Sequence, residues 1–364
     1  MKTEDSVIYL VSCAVKQKIP DKALISEMDL AAVHDFASRH MLNAAVSMAL
    51  ESAGYEDEKT RQSIGIALRK VLTLESEKNS LFHKLEEAGI WHMPLKGAVL
   101  KDYYPKLGMR EMSDYDILFD ASRAKDVRKI MESVGFSTTE FGIQNEDVYR
   151  KAPLTLFEMH RTLFGARHDK IIFEYYANVK ERLVQDDDKN YTYHFSPEDF
   201  YIYMITHEYI HYSTSGTGLR SILDTYIFLR EHELDWSYIE SEISKLGITD
   251  FEIRNRSLAL HVFNAEELNN EERQMLDYVI SSGTYGTIQN AVENEISERG
   301  RLAYFLSRLT LAYPQMLDEY PLLRKMPILY PYFWLFRLFR GIFFRQKKFI
   351  HQLKAIAYFG SRKS

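Results

Sequence analysis

The chain of 364 residues holds a single cysteine, Cys13. No disulfide can form within it, and a reducing compartment, the cytoplasm, is the expected location. The N-terminal stretch MKTEDSVIYLVSCAV offers only a short apolar run with acidic residues ahead of it, unlike a secretory signal. A long apolar run is also missing from the aromatic C-terminal part. Its longest, Met326 to Phe336, falls well short of the roughly 20 residues a membrane-spanning helix needs. Repeats and low-complexity linkers are absent too. Acidic residues stop at Glu319, and ten Lys or Arg follow it. The other 319 residues carry 36 basic and 52 acidic groups, a net of −16. Such an acidic body argues against non-specific nucleic-acid binding, and no DNA-binding signature is present. The basic, aromatic segment 327–359 is suited to a protein contact or a peripheral membrane contact, docking on the protein's own acidic body being the preferred reading.

What remains is an ordinary globular composition, 46% apolar and 27% charged, large enough for two or three structural units. Residues 5–88 carry helical periodicity that stops at Gly89. Residues 90–95 read as a short buried strand, Gly97 as a tight turn, and 98–106 as one helix of about two turns. A strand bearing Asp114 and Asp116 follows, then a helix over 122–134 and an extended segment over 137–141. After a polar loop, 153–164 reads as a strand with Glu158 and His160 on one face. Residues 191–195 are strand-like. Beyond them the expected helices cover 197–213, 219–232, 236–246, 250–263 and 270–281, with several more to the end. The plan is an α+β protein: a helical region over 1–88, a small mixed-sheet core over 89–190, and a helical domain over 191–364.

The sharpest chemistry lies in Ser113-Asp114-Tyr115-Asp116-Ile117-Leu118-Phe119. In a β-strand, residues i and i+2 leave the same face, so Asp114 and Asp116 point together. Two such carboxylates can share a hard divalent cation, as metal-dependent phosphoryl transfer requires. A second pattern, His207-Glu208-Tyr-Ile-His211, is the H-E-x-x-H in which two histidines one helical turn apart hold Zn²⁺. It lacks a recognisable third ligand, since Thr214 and Thr217 stand where one continuation of the motif needs Gly and His.

The turn Leu95-Lys96-Gly97, followed after sixteen residues by Asp114-Tyr-Asp116, resembles the nucleotidyltransferase superfamily, with its polymerase-beta-like core. More narrowly it is similar to a largely uncharacterised bacterial nucleotidyltransferase family. The elements of that likeness are Lys96-Gly97, Arg110, Asp114-Tyr-Asp116, Glu158-Met-His160, and downstream Gly216, Arg220 and Asp224. Ala98 stands where the superfamily usually has Ser or Gly, so a serine ligand to triphosphate is missing. The resemblance implies transfer of a nucleoside monophosphate from an NTP to a small molecule, RNA end or protein, with Mg²⁺ or Mn²⁺ as cofactor. Asp114, Asp116 and Glu158 would be catalytic metal ligands. Lys96, Gly97, Arg110, Ser113, His160 and Arg220 would line the nucleotide and phosphate site. Arg110 either forks onto phosphate or braces the aspartate loop, and His160 either lines the site or is a hydrogen-bonded structural residue. Arg220 and Asp224, at i and i+4, either pair within one helix or free Arg220 to reach phosphate. The alternatives are a non-catalytic nucleotide-binding or scaffold protein of the same fold, and a zinc hydrolase built on His207 and His211.

Overall fold

Four helices open the chain, α1 (Thr3–Val15), α2 (Lys22–Ser26), α3 (Leu30–Arg39) and α4 (Asn43–Ser52), ahead of the 30-residue α5 (Glu58–Glu87). In this computed structural model, residues 1–284 are described apart from 144, 154 and 166–168, together with 286, 290, 294, 316, 320–324 and 326–336. Helix α5 starts where the Asp57 carboxylate accepts from the Thr60 amide at 2.7 Å. It ends before Gly89, whose φ of +64° needs no Cβ. Its buried residues Ala67, Val71, Leu74, Leu81 and Leu85 recur three, four or seven apart, one stripe of a helix.

The sheet follows: β1 (His92–Pro94), a short helix α6 (Gly97–Leu100), β2 (Tyr115–Phe119), α7 (Ala124–Ser133), β3 (Ser137–Glu140), β4 (Glu146–Lys151) and β5 (Thr155–His160). The strand order is β1-β2-β5-β4-β3. Strands β2 and β5 run parallel, and the other neighbours antiparallel. Alternation decides the faces. Tyr115, Ile117, Phe119, Phe157 and Met159 enter one core with Leu74, Leu81 and Leu85 of α5 and Val127 and Met131 of α7. Phe157 stacks on Tyr115 at 5.2 Å and meets Phe136 edge-on at 5.1 Å. Asp116, Glu158 and His160 therefore belong to the opposite face.

The rest is helical but for a two-stranded sheet of β6 (Leu183–Gln185) and β7 (Tyr193–Phe195) after α8 (Lys170–Tyr175). Helices α9 (Pro197–Thr214), α10 (Leu219–Glu231), α11 (Trp236–Leu246), α12 (Thr249–Asn264) and α13 (Asn270–Ser282) fall close to the expected spans. At the head of α9, Ser196 Oγ accepts from the Asp199 amide at 3.1 Å.

Four details differ from the expected elements. The helix anticipated over 98–106 is only α6 plus a 3₁₀ turn, Lys101–Tyr103, because Pro105 forces Tyr104 into an extended conformation with ψ 142°. Strand β4 occupies the segment read as a polar loop. Its inward Asp147 hides the alternation, being fully buried and held by Arg161 through contacts of 2.8–3.0 Å. Helix α8 and strand β6 lie where no element was anticipated.

By its contacts the chain divides into two compact units, Met1–Tyr209 with Gly218–Ile280, and Ile210–Thr217 with Ser281–Ser364. The first contains both sheets and Lys96, Gly97, Arg110, Ser113, Asp114, Asp116, Glu158, His160 and Arg220, whereas His211 and Gly216 belong to the second. In the second, Met316, Tyr320 and Leu323 form a small core against Leu329, Tyr330, Phe333 and Trp334. Of the basic aromatic segment, 337–359 lies outside the described residues. Among the described residues no helix is long and apolar enough to cross a membrane.

Phe157→Ala empties the centre of the sheet core and is expected to cost about 3–5 kcal/mol, measured as a lowered urea midpoint with an unchanged slope.

Candidate active site

The parallel register sets Asp116 of β2 beside Glu158 of β5, with His160 two residues further along and opposite Leu118. Asp116 and His160 are 8% and 6% exposed. His160 Nε2 lies 3.0 Å from Asp116 Oδ1, and Lys96 Nζ lies 3.9 Å from Oδ2. Among the described residues, one group of three potential metal-binding side chains comes together, Asp116, Glu158 and His160, with donor atoms within 4.8 Å of one another. Asp114 precedes β2 and lies outside that group, half-buried beside Ser113.

Electrostatics marks the cluster as short of positive charge. Burial, then the charges of Asp116 and Asp114, push Glu158 up to about 7. Burial and Asp116 likewise raise Asp114, against the pull of Lys96, a Ser113 hydrogen bond and Arg220. Burial works against Asp116 too, but Lys96 and the hydrogen bond to His160 outweigh it and hold this carboxyl well below its usual range. Asp116, ionised, and Glu158, reluctant, bring hard carboxylate oxygens together as a divalent cation needs.

The turn ahead of α6 is strained at Lys96, not at Gly97. Lys96 has φ +36° and ψ −110°, a region that side chains rarely occupy and that clusters at functional sites. The turn is tied to β2 by the Leu95 amide, which donates to the Asp116 carbonyl at 3.0 Å. Gly97 is needed for space: a Cβ there would stand 2.5 Å from Arg110 Nη1.

Arg110 is buried beneath that turn with its fork already taken. Its Nε and Nη2 donate to the two oxygens of Asp224, each at 2.8 Å, and Tyr104 Oη donates to Asp224 Oδ1 at 2.6 Å. The bracing role thus falls to Arg110, with Asp224 of α10 as its partner. Asp224 does not pair with Arg220 as the i, i+4 spacing suggested. Arg220 Nη1 donates instead to the Glu111 carbonyl at 3.0 Å, and Arg220 feels the charge of Asp114. Glu111 in turn accepts from the Ala44 amide at the head of α4 at 3.2 Å. The loop leading into β2 is thereby pinned by α4 and α10.

The profile of the family described as uncharacterised nucleotidyltransferase matches residues 26–264. The chain belongs to this nucleotidyltransferase family. A solved structure that matches is an antigenic nucleotidyltransferase-like protein from Paracoccidioides brasiliensis, at 14% identity and a TM-score of 0.33, covering 54% of this chain and 96% of that one. No curated protein matches the chain.

In this member of the family, the H-E-x-x-H pattern takes part in helix packing. Glu208 is buried, and its Oε2 accepts from Asn255 Nδ2 at 3.0 Å and Thr225 Oγ1 at 3.3 Å, joining α9, α10 and α12. No group of three metal-binding side chains among the described residues includes it. Sequence reasoning overlooked Lys70 of α5, whose charge Asp114 supports against the cost of burial. No local pattern marks a site lysine within a long charged helix.

Two outcomes follow. Asp224→Ala strands the Arg110 charge in the interior and should cost about 3–5 kcal/mol, whereas replacing both partners with apolar residues should cost less; chemical denaturation compares them. A raised carboxyl keeps its proton in the folded state after the unfolded chain has released it. The Glu158 contribution to stability therefore falls as pH rises from 4.5 to about 7 and is level above that. In thermal melts without divalent cation, Glu158→Gln should gain on the wild type across that window, and saturating Mg²⁺ should shrink the gain.

Proposed function

We propose that this nucleotidyltransferase moves a nucleoside monophosphate from an NTP to an acceptor hydroxyl and releases pyrophosphate. The observation that carries the reading is the register of Asp116 beside Glu158 across parallel strands in a chain of this family. Glu158 completes the oxygen donor set beside Asp116, and the acceptor hydroxyl gives its proton to water. The acceptor oxygen bonds to the α-phosphorus as the bond from that phosphorus to the bridging oxygen breaks, and pyrophosphate leaves with that oxygen. Lys96 and Arg220 offset the triphosphate's charge, with Gly97 and Ser113 lining its path, while Arg110 keeps the loop in place. Asp114, Asp116 and Glu158 would hold Mg²⁺ or Mn²⁺, which supplies charge neutralisation at the α-phosphate and alignment of the two oxygens. Catalysis then rests on positioning and electrostatics.

The test is incubation with each α-³²P-labelled NTP and Mg²⁺ or Mn²⁺ in a lysate of the source organism. The wild type should label an acceptor, and Asp116→Asn, folded to the same melting temperature, should lose about 10²–10³-fold or more of that activity. An Asn variant with full activity would place the chemistry elsewhere.

A further inference from the structure

We infer that Glu208, inside the H-E-x-x-H pattern, is an un-ionised acid paired with the Asn255 amide, and that this pair positions α10, the helix that supplies Asp224 and Arg220.

Glu208 and Asn255 are 4% and 0% exposed. One side of their contact is filled: Asn255 Nδ2 donates to Glu208 Oε2 at 3.0 Å, and Thr225 Oγ1 donates to the same oxygen at 3.3 Å. The other side is not. Glu208 Oε1 and Asn255 Oδ1 are both shut away from solvent with no hydrogen-bond partner among the described residues. Carboxylate and amide oxygens only accept, so an ionised Glu208 leaves two buried acceptors and no donor for either. A proton on Oε1 turns that oxygen into a donor, and the amide already in contact supplies the acceptor, Oδ1. One hydrogen thus provides for both atoms, as burial of polar groups demands. Turning the amide over gives the same answer, because two acceptor oxygens would then meet at 3.0 Å and need a proton between them.

The surroundings keep the proton in place. Neither contact of Oε2 brings a positive charge. On α10, Ser221 lies beside the carboxyl, its hydroxyl donating to the Gly218 carbonyl at 2.8 Å, and Asp224 adds a negative charge. Tyr201 of α9, which feels Glu208, donates to Glu252 of α12 at 2.8 Å, and Arg256 is spent on that same glutamate at 2.7 Å. Burial and then Asp224 push Glu208 up to about 7, against the hydrogen bonds of Ser221, Asn255 and Thr225. Thr225 directly follows Asp224, the residue that holds Arg110. Loss of the Glu208 proton sets a second carboxylate against Asp224 and weakens the hold on α10.

The test is infrared difference spectroscopy of the whole chain, wild type minus Glu208→Gln. Glutamine carries an N–H in place of the Oε1 proton, so both proteins should fold. At pH 6 the difference should show the carbonyl stretch of a protonated carboxyl, fading as pH rises through about 7. A raised carboxyl stabilises most below its unfolded value. In chemical denaturation the wild type should therefore lose folding equilibrium constant relative to Glu208→Gln, by up to about tenfold per pH unit between pH 4.5 and about 7, with no further divergence above. Glu208→Ala, which removes both hydrogen bonds, should be less stable than Glu208→Gln throughout. A carboxylate band in place of the acid band at pH 6, a pH-independent stability ratio, or a glutamine variant that does not fold would overturn the pair. The positioning role is read from Mg·ATP affinity by titration calorimetry and rests on the reading that Arg220 meets the triphosphate. From pH 6 to pH 8 the affinity should weaken more in the wild type than in Glu208→Gln, and equal changes would contradict that role. Absence of ATP binding at both values would remove the nucleotide reading, while the infrared band still decides the pair.

Discussion

One register governs this protein: Asp116 beside Glu158 across the parallel pair β2 and β5. Slipping either strand by one residue would turn its acid into the core and its aromatic neighbour out. The stack of Tyr115 on Phe157 at 5.2 Å fixes the same register from the opposite face, so core packing and the acidic cluster are one constraint seen from two sides. The strands that fill the sheet core are therefore also the ones that bring the acidic cluster together.

The second constraint is charge. Around the cluster the chain cancels buried charges pair by pair: Arg110 with Asp224, Arg161 with Asp147. These pairs are weak evidence for stability, because desolvation consumes much of their attraction. They do hold loops in position. Arg110 passes beneath the turn because Gly97 leaves it room, and it fixes the approach to β2 against α10. At Asp114, Asp116 and Glu158 the cancelling stops. Lys96 sits 3.9 Å from one carboxylate, and Glu158 is still pushed up to about 7 by burial and its neighbours. With arginines spent on Asp147 and Asp224, this group is left as a set of oxygen donors in excess of nearby positive charge.

Much of this was legible in the residues. Periodicity located the end of α5 and helices α9 to α13 within a few positions, because amphipathic stripes, the glycine stop at Gly89 and a capping residue such as Ser196 act locally. The acidic strand, Glu158 and the Lys96-Gly97 turn were legible because alternation and short spacing are properties of sequence. Strand β4 was not, since its inward position is an aspartate whose partner, Arg161, lies on the far side of β5. The link between Arg110 and Asp224 spans 114 positions, and nothing local distinguishes it from the i, i+4 pair that Arg220 and Asp224 suggest. The strain at Lys96 and the lysine that α5 contributes near Asp114 are tertiary facts with no local signature.

The most direct measurement is a crystal structure with a non-hydrolysable NTP and Mn²⁺, read by anomalous scattering. The account predicts a manganese peak between Asp116 and Glu158, with the triphosphate running toward Lys96 and Arg220. A peak at His207 and His211, or a nucleotide bound away from β2 and β5, would contradict it.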